Sequence, residues 1–348
     1  MAKIDFLLKL MVDYEASDLH LSAGEPPMLR INGELQRTKY HDLTPQEVEF
    51  LVLEILDEEL LSSLKQRKDI DFAYELEGIG RFRANIFMER RGYGGAFRLI
   101  PTKIRTLREL GIPEAVYGLA RLKSGLILVT GATGSGKSTT LAAIIDLINK
   151  EKNYHIITLE DPIEFIHPRG KCLIHQRQLD FHMESFASGL RAALREDPDV
   201  VLVGEMRDLE TIHLALTAAE TGLLVLGTLH TSSAAKTVDR IIDVFPTTQQ
   251  AQIRTMLAES LRGVIAQQLL RRADGRGRIA AVEVMICTPA VQNLIREGKT
   301  YQIPSVIQTG KNLGMQTMAD HISRLVREGV ISSEEASLYE NKVEVSHG

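Results

Sequence analysis

Apolar residues recur at helical spacing at the start of the chain. Ile4, Leu7, Leu8, Met11 and Val12 fall on one face and predict a helix over residues 4–15. The pattern then switches to alternation in Asp18–Leu21 and Met28–Ile31, on either side of Gly24-Glu-Pro-Pro, which predicts two short strands around a turn. Thr44 followed by Pro45 supplies an N-cap and a first-turn proline. An amphipathic helix is therefore expected from there through Leu51 and Ile55 and past Leu64, covering one face of a sheet. Residues 69–74, 80–88 and 93–99 read as three more strands separated by glycine-containing turns, which completes a small α+β domain over residues 1–100.

Pro101, Gly111 and Pro113 punctuate the next segment, so a linker is expected over 101–123, with a short helix running up to Lys123. From Ser124 the pattern changes again. Gly125–Thr130, His155–Leu159, Val200–Val203 and Leu223–Gly227 are short, unbroken apolar runs that alternate with helical stretches. Strands of that kind are buried on both faces and build a parallel α/β sheet, whose ligands bind beyond the carboxyl ends of the strands. The chain after about residue 250 is expected to be mainly helical, and the second domain spans 124–348. No internal repeat is evident.

Length and composition agree with this division. A chain of 348 residues suits two domains, and 44% hydrophobic with 25% charged residues is the balance of a globular protein rather than a disordered or membrane-spanning one. The formal net charge is −5, with both signs mixed along the chain, which disfavours nucleic acid as a partner. No apolar run approaches the roughly 18 residues needed to cross a bilayer, and the charged start lacks a cleavage site, so a cytoplasmic location is expected. Cys172 and Cys287 are too few and too far apart for a disulfide framework or a zinc-type pair, and read as reduced, buried thiols.

The strongest chemical signal is Gly131-Ala132-Thr133-Gly134-Ser135-Gly136-Lys137-Ser138, followed by Thr139. A glycine-rich loop there joins a predicted strand to a predicted helix, so its backbone N–H groups can turn inward around phosphate oxygens at a helix N-terminus. Lys137 would neutralise the β and γ phosphates of ATP, and the Ser138 hydroxyl would ligate Mg²⁺. Phosphoryl transfer also needs groups that hold the metal and orient or deprotonate water. Three neighbouring strand ends offer them: Glu160-Asp161-Pro-Ile-Glu164, Gly204-Glu205 and Thr228-Leu-His230. Glu205 is a candidate for holding Mg²⁺ or polarising water, although Gly204 stands where a metal-binding Asp is usual. Glu164 is a candidate general base or, alternatively, a salt-bridge partner of Arg169 or Arg207. His230 is a candidate γ-phosphate contact or a structural histidine.

Taken together these motifs resemble the secretion-type ATPases of type IV pilus and type II secretion systems, over essentially the whole chain. The resemblance rests on Ser17-Asp-Leu-His-Leu, the P-loop, Ile157-Thr-Leu-Glu-Asp-Pro-Ile-Glu-Phe, Asp197-Pro-Asp-Val-Val-Leu-Val-Gly-Glu-Met-Arg-Asp and Gly227-Thr-Leu-His-Thr. It implies a RecA-like P-loop ATPase core with a smaller N-terminal α+β, PAS-like domain, and it makes Gly204-Glu205 the expected form of the second nucleotide motif. It places Glu164 in an acidic box and His230 in a histidine box. Ala290-Val-Gln-Asn-Leu-Ile-Arg-Glu297 is similar to the C-terminal signature of the pilus-retraction branch, from which Val291 and Gln292 depart. The additional N-terminal domain and four-cysteine site of extension and secretion relatives are not expected here.

The resemblance further implies a ring-shaped homohexamer with nucleotide bound between domains, peripheral to the inner membrane through a pilus platform protein. Arg81, Arg83 and Arg98 of the first domain then become candidate phosphate-sensing arginines. The function expected is an ATP-hydrolysing motor for pilus retraction and twitching motility. The alternatives are an accessory retraction ATPase, a nucleotide-gated scaffold without useful turnover, and a nucleic-acid motor on the same core.

Overall fold

The computed structural model describes residues 2–31, 33–100, 104–275 and 277–345. The chain divides into two compact units, Met1–Lys103 and Ile104–Gly348. Pro101, at the start of the expected linker, lies outside the described residues.

In the first unit, strands β1 (Asp18–Leu21), β2 (Met28–Ile31), β3 (Glu34–Arg37), β4 (Asp69–Leu76), β5 (Gly80–Glu89) and β6 (Gly92–Ile100) form an antiparallel sheet in the order β3-β2-β1-β6-β5-β4. Helices α1 (Ile4–Asp13), α2 (Pro45–Leu53) and α3 (Glu58–Arg67) complete it. Leu8 and Met11 of α1, Val48 and Val52 of α2, and Phe82, Ala84, Ile86 and Phe97 of the sheet make one core. Because side chains alternate along a strand, burying 82, 84, 86 and 97 turns Arg81, Arg83 and Arg98 to the opposite face. The single helix expected from Thr44 past Leu64 is two. Thr44 and Glu47 close a capping box at the start of α2, and Asp57 then accepts from the Leu60 N–H at 2.8 Å and begins α3 afresh. Strand β3 carries no apolar alternation because all four of its residues are exposed.

The second unit holds β7 (Gly125–Thr130), β8 (His155–Glu160), β9 (Leu173–Gln178), β10 (Val200–Val203), β11 (Leu224–Leu229), β12 (Leu261–Arg271) and β13 (Arg278–Ile286), in the order β13-β12-β7-β11-β10-β8-β9. All neighbours are parallel except the β12–β13 pair. Its helices are α4 (Glu114–Ala120), α5 (Lys137–Glu151), α6 (Phe186–Ala193), α7 (Leu209–Glu220), α8 (Ala234–Asp243), α9 (Thr247–Ser260), α10 (Pro289–Arg296), α11 (Ile303–Thr309), α12 (Met318–Arg327) and α13 (Ser333–Val345). Leu126 and Leu128 of β7 enter one core with residues of α6 to α9, whereas Ile127 and Val129 enter another with Ile144, Ile145 and Ile148 of α5. Both faces of the sheet are therefore covered, as unbroken apolar strands require.

Two sequence expectations are amended. The chain after residue 250 is mainly helical, in the rest of α9 and in α10 to α13, but between α9 and α10 it holds β12 and β13, a long hairpin that extends the sheet and that was not expected. Gly263-Val-Ile-Ala is an apolar run of the same type as β7, and Asp274-Gly275 marks the turn, so the strand signal was present. Residues 104–123, expected as linker, contribute Leu107, Ile112, Val116 and Leu119 to the second core. Among the described residues no helix is long and apolar enough to cross a membrane.

Candidate nucleotide site

Strand β7 ends at Thr130 and α5 begins at Lys137, so the six residues between them turn directly from sheet to helix. That turn needs positive φ at Gly131 (145°), Gly134 (76°) and Gly136 (89°), a region side-chain-bearing residues rarely adopt. Space adds to the demand at Gly131, where a Cβ would run into the Gln267 carbonyl oxygen and the Ser135 hydroxyl. The exposed Ala132 and Thr133 form the outer lip of the loop. Lys137 folds back over it, its Nζ donating to the carbonyl oxygens of Gly131 (2.9 Å) and Ala132 (3.1 Å). Burial lowers the Lys137 pKa, and the negative charges of Glu205 and Glu164 oppose that shift, which places both acids within electrostatic reach of the ammonium.

On one side of the loop a cleft is lined by Ser138, Glu160, Glu164, Gly204, Glu205 and Thr228. On the other, Thr139 borders a second cleft with Arg105, Leu269 and Arg278. The first cleft exists because β8, β10 and β11 end in register: Val203 pairs with Leu159 on one side and Gly227 on the other. Glu205 leaves β10 with its side chain mostly buried, ion-paired to Arg207 and with His230 Nε2 at 3.0 Å. The carboxylate hydrogen bond raises the Arg207 pKa. Gly204 has a steric explanation. Its N–H donates to the Leu159 oxygen at 2.7 Å, its carbonyl accepts from the Thr228 hydroxyl, and a Cβ would lie 2.8 Å from the Leu159 oxygen. An aspartate has no room there.

The acidic box hangs on β9, an element that the sequence patterning did not predict. Gln178 accepts from the Ile163 N–H at 3.2 Å. Gln176 accepts from the His167 N–H at 3.1 Å while donating to the Phe165 carbonyl at 2.8 Å. These bonds hold Glu164 at the wall of the cleft with its side chain exposed. Arg207, an alternative partner for Glu164, is taken by Glu205. Glu160 is different: burial raises its pKa, and hydrogen bonds from Thr158 at 2.6 Å and Gln176 at 3.1 Å work against that shift. Leu173-Ile-His-Gln-Arg-Gln, two apolar residues followed by four polar ones, carries no alternation, so β9 left no periodic signal in the sequence. A second residue not anticipated is Gln267 of β12, whose carboxamide bonds both the loop and α5.

In the first unit Arg83 and Arg98 stand directly opposite each other on β5 and β6, with Arg81 two residues along on the same face. Arg98 Nε donates to Asp18 at 2.7 Å, and Arg83 lies 3.4 Å from Asp71. Arg81 Nε is buried with no partner among the described residues. Burial tends to raise the Asp18 pKa, but bonds from Ser17 and Arg98 hold it below its usual value.

The family of type II/IV secretion system proteins matches residues 4–338. The chain belongs to that family. Within it, the type IV pilus retraction ATPase PilT of Pseudomonas aeruginosa is 52% identical over 330 residues, covering 95% of this chain and 96% of its own. A twitching motility protein of Neisseria gonorrhoeae is 52% identical over 310 residues, 89% of this chain and 83% of its own. A crystal structure of the pilus retraction motor PilT with bound ADP superposes with a TM-score of 0.90 at 46% identity, covering 97% of this chain and 96% of that one. The secretion-family fold, an N-terminal domain followed by a RecA-like ATPase core, is thus the fold of this chain.

Proposed function

We propose that this secretion-family chain is an ATP-hydrolysing motor, assembled as a homohexameric ring, that drives type IV pilus retraction and twitching motility. The observation that carries the reading is the convergence of the P-loop, Glu164 and the Glu205–His230 pair on one cleft. Full-length likeness to a pilus retraction ATPase, 52% identical over 95% of the chain, directs it to retraction. Identity to the type IV pilus ATPase PilU of Pseudomonas aeruginosa is lower, at 39%.

In this reading the triphosphate lies in the nest of N–H groups from Gly131 to Thr139, with its nucleoside towards the cleft of Arg105 and Leu269. Lys137 exchanges the Gly131 and Ala132 carbonyls for β and γ phosphate oxygens. Among the described residues no cluster of three or more acids, histidines or cysteines is arranged to hold a metal ion. The donors present, Ser138 and Glu205, suit a Mg²⁺ ion that arrives coordinated by phosphates and water. Bound Mg²⁺ neutralises the charge that builds on the phosphates in the transition state. Glu164 takes the proton of the attacking water, Glu205 holds that water in line, and His230, tied to Glu205, reads the γ-phosphate. Arg81, Arg83 and Arg98 are the candidate phosphate-sensing arginines of the assembled ring, responding to the loss of that charge on hydrolysis. The ring works at the cytoplasmic face of the inner membrane against a pilus platform protein, and nucleic acid is not a partner.

Expression in a Pseudomonas aeruginosa strain lacking its retraction ATPase tests the assignment. Restored twitching is expected. Normal levels of chain with ATP turnover but no twitching would overturn the retraction role while leaving the ATPase.

A further inference from the structure

The P-loop of this chain is braced from outside the nucleotide motifs. Strand β12 pairs with β7 up to Ala266↔Thr130. At that point β7 leaves the sheet to become the loop, while β12 continues for five more residues paired only with β13. Gln267, the first residue past the end of the shared ladder, is 5% exposed. Its Nε2 donates to the Ser135 carbonyl at 2.7 Å, and its Oε1 accepts from the Thr140 hydroxyl at 2.7 Å. One carboxamide therefore spans the loop and the first turn of α5. The loop's glycines fit around the same residue. A Cβ on Gly131 would strike the Gln267 carbonyl oxygen, and one on Gly136 would lie 2.8 Å from Nε2.

The consequence follows from peptide geometry. In a trans peptide the C=O and the next N–H point in opposite directions. Fixing the Ser135 carbonyl towards Gln267 therefore fixes the Gly136 N–H away from it. In a phosphate nest, N–H groups held in place before the ligand arrives lower the ordering cost of binding. The geometry points to Gln267 as a positioning residue for nucleotide binding: by clamping Ser135 and Thr140 it pre-sets the Gly136 N–H for the phosphates. This rests on the reading of 131–138 as a phosphate loop. Bound phosphates themselves order the loop, so the clamp acts mainly on affinity and less on the turnover of bound ATP.

The variants are Gln267→Glu, which keeps the acceptor for Thr140 but faces the Ser135 carbonyl with an oxygen, and Thr140→Val, which frees the carboxamide at its other end. Thr140→Ser restores the hydroxyl. Binding of fluorescent ATP and ADP analogues is titrated directly on the full-length, assembled protein, alongside KM, kcat and the nucleotide-free melting temperature. Gln267→Glu is expected to weaken binding and raise KM by about tenfold, as losing a hydrogen bond and opposing two oxygens would do, with kcat at saturation changed less than about threefold. Thr140→Val shifts in the same direction by a smaller factor, and Thr140→Ser returns to wild-type affinity. Wild-type affinity in either folded Gln267→Glu or Thr140→Val would overturn the inference, as would a lowered melting temperature with KM and kcat moving together. Should Gln267→Glu fail to fold, Thr140→Val alone decides. Wild-type protein that binds nucleotide without hydrolysing it would sink the motor reading and leave this one standing, whereas robust hydrolysis with unchanged variant affinities would do the reverse.

Discussion

Gly204 shows how one residue can be legible as a departure yet explicable only from its surroundings. The sequence marked the place where an aspartate is usual, and the structure shows why a side chain cannot stand there: the Leu159 oxygen lies 2.8 Å from where its Cβ would be. Gly204→Asp, which would recreate the commoner pattern, is therefore expected to reduce ATP turnover at least about tenfold by pushing β8 and β10 apart beneath Glu205. Wild-type turnover in that variant would contradict the steric account. Glu205, His230 and Lys137 were readable because each follows an apolar strand or a glycine loop at a fixed spacing. Gln267 was not, since nothing about a glutamine inside an apolar run says that its carboxamide faces a loop 132 residues away.

Elements were readable where burial imposes a period. The central strands β7, β8, β10 and β11 are covered on both faces and read as apolar runs, and α1 shows its stripe. Strand β3 is exposed throughout and leaves no pattern, and the α2–α3 break depends on one aspartate cap. The β12–β13 hairpin carries the same kind of signal, an apolar run at Gly263-Val-Ile-Ala and a turn at Asp274-Gly275, but within a stretch that is otherwise helical, and α12 packs on it, with Leu270 and Ala281 against Met318, Ile322 and Leu325. His321 sits in that seam, accepting from the Val282 N–H at 3.0 Å, and burial lowers its pKa to about 4. The folded state thus favours neutral His321, whereas the unfolded chain takes up its proton near the ordinary histidine value of 6.5. Stability from this group is full above that value, falls as pH drops from there towards 4, and changes little below, where both states are protonated. Denaturant unfolding should therefore show an acid loss between about pH 8 and about pH 5 that shrinks by about 2 kcal/mol in His321→Leu, measured relative to each protein's own value at the upper pH. An unchanged acid loss would mean that the imidazole is not excluded from protonation in the fold.

At the scale of the whole molecule, the sequence motifs outline two units with different roles. The first is a sheet that gathers arginines on one face, and the second is a P-loop core that gathers acids at its strand ends. Arg83 and Arg98 already have carboxylate partners within the first unit, so their proposed sensing role requires a nucleotide charge that competes with Asp71 and Asp18. Turnover by the core is the premise on which ring and retraction both depend. The measurement that tests it most directly is steady-state ATP hydrolysis by wild type and Glu205→Ala, with and without Mg²⁺, at an oligomeric state matched by light scattering and with nucleotide binding measured in parallel. The account predicts Mg²⁺-dependent hydrolysis by the wild type that falls at least about a hundredfold in Glu205→Ala while nucleotide still binds. Equal hydrolysis by the two proteins, or none by a correctly assembled wild type, would contradict it.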